Sequence, residues 1–137
     1  MAPASNNPEE RFSERYSASG ATASIEAELE VLGTDYQANG YSTRSHVDEF
    51  GNVLGLQPGD RLLDLGSGCG YPGLYLAQRH GCSLATLDPV ASGVTVGVQR
   101  ARRDGLDDRH LAVIGSGAAL PFRSESFDAI VHVDVMC

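Results

Sequence analysis

Apolar residues recur along this chain with two different spacings, and the first to appear is helical. Two segments place apolar side chains on one face at intervals of three or four residues, which predicts helices. Each segment is followed by a glycine, Gly33 or Gly55, which favours a helix end in the left-handed conformation. Ser42 or Thr43 is positioned to cap the second helix. Ile25, Leu29 and Leu32 fall on one face of the first helix. The predicted buried face of the second helix carries Val47, Phe50 and Leu54.

Four short apolar runs bounded by turn residues predict β-strands. They cover Arg61–Leu65, Ser83–Leu87, His110–Ile114 and Phe127–Val133, and a continuation of the last run to Val135 stays open. Their lengths and near-continuous apolar character are typical of buried strands in a parallel sheet.

Two segments between these strands predict helices. The first is Gly73–Arg79, with Pro72 in its first turn, where a missing N–H costs little. The second covers residues 91–104, where alternating valines favour a strand. A stripe at helical spacing favours a helix instead; its members are Val90, Val94, Val98 and Ala101. The position of this segment between two strands decides for the helix. Strands alternating with helices predict an α/β fold with a doubly wound, mainly parallel, Rossmann-like sheet in three α-β-α layers.

The pattern divides the chain into three parts. Residues 1–20 show no apolar periodicity and are predicted to be a mobile lead-in. Residues 21–57 are predicted to form a helical lead-in or cap, and residues 58–137 the sheet-containing domain. The first part has no apolar core segment, which predicts that it is not a signal peptide.

Composition narrows the classes of function. A chain of 137 residues with a net charge of -8 suits one modest globular domain, and its acidity argues against a nucleic-acid partner. No run approaches the roughly 20 apolar residues of a membrane-spanning helix, so no membrane partner is expected. Cys69, Cys82 and Cys137 lack CxxC spacing, which favours reduced thiols over a disulfide or a metal site and predicts a cytoplasmic protein.

The stretch LLDLGSGCGYPG, residues 62–73, begins within the first predicted strand and carries the candidate chemistry. Gly68–Gly73 matches the GxGxxG fingerprint of NAD-binding loops, whereas Asp64–Gly70 matches a DxGxGxG nucleoside-binding loop. In doubly wound sheets, ligands bind beyond the carboxyl ends of the strands, where this loop is expected. A tight turn without a ligand is the other interpretation, and four glycines within eight residues disfavour it.

Asp88 ends the second predicted strand and is a candidate ligand of a ribose. A carboxylate at this place accepts hydrogen bonds from both ribose hydroxyls. The same residue is a favourable start for the following helix, and the two interpretations are compatible. Because NAD and adenosylmethionine both contain ribose, Asp88 does not separate them.

Three features favour the nucleoside pattern over NAD. Asp64 stands inside the strand, where dinucleotide-binding strands are usually apolar, and its carboxylate can orient the loop or attract a cationic ammonium group. Pro72 removes one N–H donor that a pyrophosphate would use at the helix N-terminus. Downstream, GSGAALPFRSESFDAIV (115–131) fits a methyltransferase pattern.

The chain thus resembles the class I S-adenosylmethionine-dependent methyltransferases, nearest to those that methylate small molecules. The resemblance is carried by LLDLGSGCG (62–70), TLD (86–88), LPF (120–122) and SFDAIV (126–131). It implies S-adenosyl-L-methionine as the cofactor and methyl transfer to an unidentified small molecule as the activity. Residues 58–137 would then be the cofactor-binding domain.

The resemblance also implies roles for individual residues. Asp64 would support the loop and the amino group, Asp88 would hold the ribose hydroxyls, and Pro89 would lie beside the adenine. The methionine portion of the cofactor would be wrapped by Gly66, Ser67, Gly68 and Gly70.

The residues expected at the adenine and sulfonium ends of the cofactor match the family pattern less directly. Where the family often has an aspartate that contacts the adenine amine, this chain has Ser116, so the contact falls to its hydroxyl or to the Gly117 N–H. His132 and Val133 would lie close to the sulfonium. A general base is needed only if the methyl acceptor must lose a proton. His132 is the preferred candidate for this base, and the alternative interpretation is a histidine buried in the core. The other candidates are Asp134, His46, Tyr36 and Tyr41.

Family members continue beyond the fourth strand, so the resemblance covers only the cofactor-binding half of their fold. The chain is therefore expected to be truncated after that strand, with a minimal domain or one completed by a partner as alternatives. An apolar last strand would form an open sheet edge, which predicts self-association. The rival functions are an NAD-dependent oxidoreductase and a non-catalytic remnant of a methyltransferase.

Overall fold

The computed structural model describes residues 6–135, which form helices and strands in alternation after a helical start. Cys137, predicted to be a reduced thiol, lies outside these residues. The helices and strands, in chain order, are α1 (Pro8–Ser19), α2 (Thr22–Leu32), α3 (Arg44–Leu54), β1 (Arg61–Leu65), α4 (Gly73–His80), β2 (Ser83–Asp88), α5 (Ala91–Arg103), β3 (His110–Ile114) and β4 (Ala129–Val131).

The four strands form one parallel sheet in the order β3-β2-β1-β4. Leu63 in the middle of β1 pairs with Ala85 of β2 on one side and with Ile130 of β4 on the other. The chain therefore reverses its direction of travel across the sheet at β1, as in doubly wound folds, where this switch point marks the ligand crevice. The predicted parallel α/β sheet is confirmed.

The two sheet faces are covered differently. Leu62 and Leu84 pack in the main core with Leu74 and Leu76 of α4, so α4 and α5 cover one face. The irregular segment 115–128 joins β3 to β4 without a described helix, and Gly117 in it lies close to the Leu65 side chain. Within residues 6–135, the helices thus form one of the two predicted outer layers.

The lead-in differs from the prediction, because a helix occupies most of the segment expected to lack regular structure. Asn7 caps α1 by accepting a hydrogen bond from the Glu9 N–H at 3.0 Å, and Pro8 stands in the first turn. Tyr16 is the buried residue of this helix, at 8% exposure. With so few apolar residues, α1 leaves no periodic pattern, and its only sequence signal is the N-cap followed by proline.

The fourth strand is shorter than predicted. β4 covers Ala129–Val131, whereas the apolar run extends from Phe127 to Val133 and on to Val135. Asp134 adopts a left-handed backbone with a φ of 57°, which an extended strand does not contain. The strand prediction was wrong at this end because pairing with β1 stops at Val131 and the backbone turns at Asp134, although the apolar residues continue.

The ambiguous segment is a helix, as the alternation of strands and helices predicted. α5 runs over Ala91–Arg103, and Val94 and Ala101 on its predicted stripe are buried. For α3, Val47 is buried as predicted, whereas Leu54 is partly exposed.

The connection between α2 and α3 is fastened to α2 and to α5. Glu28, a buried carboxylate, accepts hydrogen bonds from the Thr34 hydroxyl at 2.7 Å and the Tyr36 N–H at 2.8 Å. Arg100 of α5 pairs with Asp35 at 2.9 Å and lies over the Tyr36 ring at 3.7 Å from its centroid. These contacts fix residues 34–36 and so determine where the following segment runs.

β4 forms one edge of the sheet, with β1 as its only neighbouring strand in the described part of the chain. Ile130 in β4 is 54% exposed, so this edge carries apolar surface. Self-association through the edge stays a prediction. Between residues 6 and 135, none of the helices combines the length and apolar character required to cross a bilayer.

Candidate functional site

The glycine loop lies beyond the carboxyl ends of β1 and β2. Gly66, Gly68 and Gly70 have φ angles of 77°, 51° and 102°, a region that side chains rarely adopt. The Gly66 N–H donates to the carbonyl of Leu87 in the neighbouring strand at 2.8 Å, which anchors the loop to the sheet. The loop is thus a fixed turn at the switch point, with Ser67, Cys69 and Gly70 buried.

Asp88 holds the middle of this loop. One carboxylate oxygen accepts the Gly68 N–H at 2.8 Å, and the other accepts the Val90 N–H at 2.9 Å. The residue is 5% exposed, and this burial raises the pKa of its carboxyl group, against the lowering effect of the two N–H donors. Asp88 therefore shapes the loop and the approach to α5, and its oxygens retain lone pairs for a ligand.

Asp64 lies beneath the loop and ties β1 to α4. It is 1% exposed and accepts the Gly73 N–H at 2.8 Å. A side chain on Gly73 would place its Cβ 2.6 Å from the same carboxylate oxygen, so only glycine permits this approach. Burial raises the pKa of Asp64 from 3.8 to about 7; Asp88 adds to the rise, whereas the Gly73 N–H and His132 oppose it.

A cavity of about 60 Å³ lies against the loop. Its remaining walls come from three distant parts of the chain: Phe12 and Tyr16 of α1, residues 38–40, and Val133 with Asp134 after β4. Ligand pockets for small molecules usually measure roughly 300–1,000 Å³. A nucleoside cofactor therefore needs a displacement of this covering before it can occupy the site.

Tyr16 is the part of the cover closest to the loop. The ideal Cβ position on Gly68 lies 3.0 Å from the Tyr16 hydroxyl, and the ring packs in a small apolar cluster with Cys69 and Val90. Burial and the Asp88 carboxylate raise the pKa of the Tyr16 hydroxyl, and the same two causes raise that of the Cys69 thiol to about 12. Cys69 is therefore an unreactive thiol beneath α1.

This arrangement predicts that Tyr16 protects Cys69 from alkylation. Replacing Tyr16 with alanine should increase the rate of iodoacetamide labelling of Cys69 roughly 10-fold or more, because the variant removes the ring that covers the thiol. Mass spectrometry of the Cys69 peptide measures the rate. Ser17→Ala on the exposed side of the same helix is the control, and equal rates in wild type and Tyr16→Ala would contradict the covering role.

His132 stands just beyond β4 with an exposed side chain and is not a core histidine. Its Nδ1 lies 2.8 Å from the Leu65 carbonyl oxygen. Because a carbonyl only accepts, Nδ1 is the donor, which leaves Nε2 as the acceptor of a neutral imidazole. The ring does not line the 60 Å³ cavity.

The predicted adenine-side residues lie at the carboxyl ends of β2 and β3. Pro89, Ser116 and Gly117 are exposed, and Ser116 accepts the Ala118 N–H on its hydroxyl at 3.2 Å. None of the three lines the cavity. The structure thus separates these three from the enclosed loop that holds Gly66, Ser67 and Gly68.

The other base candidates have structural contacts. The Nδ1 of His46 accepts the Thr43 N–H at 3.4 Å in the capping box of α3, and Tyr36 is buried beneath Arg100. Tyr41 is 76% exposed. Asp134 does line the cavity, and its carboxylate contacts the segment above it.

Residues 62–137, more than half of the chain, match the protein family described as a methyltransferase domain. The chain belongs to this methyltransferase family. The resemblance drawn from the glycine loop and the downstream motifs is therefore confirmed, and so is the Rossmann-like fold. The relatives described next give no support to the NAD-dependent alternative.

Two curated methyltransferases show how this family member compares in sequence. The chain is 33% identical over 103 residues to 24-methylenesterol C-methyltransferase 2 of Oryza sativa subsp. japonica, covering 70% of the chain and 26% of that protein. It is 30% identical over 89 residues to erythromycin 3''-O-methyltransferase of Saccharopolyspora erythraea, covering 64% of the chain and 29% of that protein. The chain spans less than a third of either relative.

A solved structure gives the same result for the fold. The SAM-dependent methyltransferase of Thiobacillus denitrificans, in complex with S-adenosyl-L-homocysteine, superposes with a TM-score of 0.60 at 27% identity. The superposition covers 66% of this methyltransferase-family chain and 36% of the other.

Sequence reasoning named residues 21–57 as a helical lead-in or cap, but it did not identify which residues cover the site. Phe12, Tyr16 and residues 38–40 approach the loop only through tertiary packing, so no local pattern reveals them. The N-cap residue Asn7 is a sequence signal for the start of α1, but it does not indicate that Tyr16 of this helix lies against Gly68.

Proposed function

We propose that this chain binds S-adenosyl-L-methionine at the glycine loop and serves methyl transfer to a small molecule. The observation that carries the proposal is the left-handed glycine loop held by Asp88 at the switch point of a methyltransferase-family sheet. Gly66 and Gly68 both have positive φ angles and line the cavity as backbone without Cβ atoms. This is a cradle that suits a nucleoside cofactor with an amino-acid tail.

The proposed contacts follow the order of the loop and the strands. The methionine portion would lie against Gly66, Ser67, Gly68 and Gly70. Asp88 would accept the ribose hydroxyls, since each carboxylate oxygen holds one N–H and retains acceptor capacity. Asp64, buried beneath the loop, would support it and favour the cationic amino group through its charge.

The adenine would lie outside the enclosed part of the site. Pro89 would flank the ring, and Ser116 or the Gly117 N–H would supply polar contacts. These three exposed residues sit where the carboxyl ends of β2 and β3 meet, next to the ribose acid. The bound cofactor would supply an activated methyl group, and the chain would supply positioning and exclusion of water.

His132 is proposed as the group that accepts a proton when the acceptor must lose one. Its exposed ring is held by the Leu65 carbonyl at the carboxyl end of β1, and Nε2 has the lone pair required of a base. By name, one of the two curated relatives is a 24-methylenesterol C-methyltransferase and the other an erythromycin O-methyltransferase, so small-molecule acceptors are supported as a class. The net charge of -8 supports the same class over nucleic acid. The cytoplasmic location stays a prediction.

Isothermal titration with S-adenosylhomocysteine tests the proposal. We expect saturable 1:1 binding that S-adenosylmethionine competes for and that NADH does not affect. Binding of NADH in place of adenosylhomocysteine would favour the oxidoreductase alternative. A well-folded chain that binds neither would contradict the proposal and favour a non-catalytic remnant.

A further inference from the structure

Asp134 joins the end of the sheet to the segment that covers the glycine loop. One of its carboxylate oxygens accepts two backbone hydrogen bonds, from the Tyr41 N–H at 3.0 Å and from the Ser42 N–H at 3.1 Å. The partners are more than 90 residues apart in the chain. A carboxylate that accepts two consecutive N–H groups makes charge-assisted hydrogen bonds, which are the stronger class.

The backbone on both sides of this contact is adapted to it. Asp134 has a left-handed φ of 57°, which is uncommon for a residue with a side chain. Gly40 lies so close that a Cβ on it would be 2.7 Å from Cβ of Asp134 and would overlap the carboxylate. Gly40 does not have a left-handed φ, so glycine is needed here for space alone.

Asp134 fastens the connection between α2 and α3, residues 34–43, and residues 38–42 of this connection form the roof of the cavity. The first residues of the connection are fixed by Glu28 and Arg100, as described above, and α3 begins after its last residue, Thr43. Between these ends, residues 38–40 line the cavity, and the Ser42 carbonyl accepts a hydrogen bond from Tyr71 at 3.2 Å. The middle of the segment is therefore held mainly by exposed contacts, of which Asp134 makes two.

The geometry points to Asp134 as a latch: a positioning residue that holds residues 38–42 closed over the cofactor site and releases them for cofactor exchange. The inference rests on the proposed function and adds a gate to it. Because the space against the loop measures only about 60 Å³, entry and exit of a nucleoside cofactor need the cover to move, and residues 38–42 are the part of the cover that Asp134 fastens. Asp134 then controls the rates of both steps.

Amide hydrogen exchange tests the latch directly, without any ligand. In ¹H–¹⁵N spectra of the full chain, Asp134→Ala should accelerate exchange at Tyr41 and Ser42 roughly 10-fold or more, since both N–H groups lose their acceptor. Amides in the centre of the sheet, such as Leu63, should keep their rates, which separates a local opening from lower global stability. Asp134→Asn, which keeps one acceptor oxygen, should restore part of the protection.

The exchange of cofactor is measured by surface plasmon resonance with S-adenosylhomocysteine. Asp134→Ala should raise both the association and the dissociation rate several-fold. Asp60→Ala is the matched control: its carboxylate also accepts a backbone N–H, from Gln57 at 2.8 Å, but it lies at the opposite end of the sheet.

A double-mutant cycle ties the effect to the contact. Gly40→Ala should open the roof in wild type, because the new methyl group displaces the Asp134 carboxylate. In the Asp134→Ala background the same change should have little further effect. Additive effects of the two substitutions would overturn the latch.

The remaining outcomes are also decisive. Unchanged exchange at Tyr41 and Ser42 in Asp134→Ala would overturn the inference, and so would faster exchange with unaltered binding rates. If wild type fails to bind adenosylhomocysteine, the proposed function fails, whereas the amide exchange still decides whether Asp134 holds the segment.

Discussion

Asp88→Ala is expected to weaken S-adenosylhomocysteine binding by roughly 100-fold or more. The substitution removes the acceptor proposed for the ribose hydroxyls. It also leaves the Gly68 and Val90 N–H groups without their partner, so the loop loses its fixed shape before any ligand arrives. Titration calorimetry measures the loss, and thermal unfolding should show a lower midpoint at the same time.

Two variants separate the roles of Asp88. Asp88→Asn keeps one acceptor oxygen but turns an NH₂ group toward one of the two N–H donors, so we expect little recovery of affinity. Asp60→Ala again removes a carboxylate that accepts a backbone N–H far from the loop, and affinity should be preserved. An Asp88→Ala chain that binds within threefold of wild type would exclude the acid from the cofactor site.

Asp64→Asn is expected to stabilise the chain above neutral pH. Because the pKa of Asp64 is raised from 3.8 to about 7 on folding, the folded chain retains a proton between these values that the unfolded chain has lost. The contribution of the protonated Asp64 carboxyl group to the free energy of unfolding is fully present below pH about 4. It is lost as the pH rises to about 7. The loss amounts to at most about 4 kcal/mol.

An asparagine stays neutral and can still accept the Gly73 N–H, so the variant avoids this loss. Urea unfolding at pH 5 and pH 8 measures the free energy of unfolding for both chains. We expect the advantage of the variant to be clearly larger at pH 8 than at pH 5. Equal differences at the two values would show that Asp64 does not titrate in this window.

The same substitution should weaken cofactor binding above neutral pH. In wild type, affinity for S-adenosylhomocysteine should rise as Asp64 ionises between pH 6 and 8, because its charge favours the ligand ammonium group. The Asp64→Asn chain should lack that rise. A buried acid retained at a cost in stability is typical of a functional site.

The part of the fold that is local in sequence was predictable. The bounds of β1 and β3 agree with the prediction, since each is a short apolar run between clear turn signals. The glycine loop with Asp64 and Asp88 was visible for the same reason, as each lies at the end of such a run. The chemistry of the loop depends on residue types at short spacing, which a single sequence displays.

What could not be predicted depends on contacts between distant segments. Tyr16 reaches Gly68, and Asp134 reaches Tyr41, only after the sheet has brought their helices and loops together. The sequence indicated that Asp88 would face a ribose, but its bond to Gly68 required the paired ends of β1 and β2. The end of β4 was misjudged because the backbone turns after Val131 and brings Asp134 to the roof.

The strand order has a consequence for how the site assembles during folding. The bond between Gly68 and Asp88 spans 20 residues, within the consecutive unit from β1 to β2. The pairing of Arg61 with Asp128 beside β4 spans 67 residues, and the bond from Asp134 to Tyr41 spans 93. Since the entropy cost of closing a loop grows with its length, we expect the glycine loop to form early in folding and the roof to dock last. The roof, which controls cofactor exchange, can then undock while the sheet and the glycine loop stay folded.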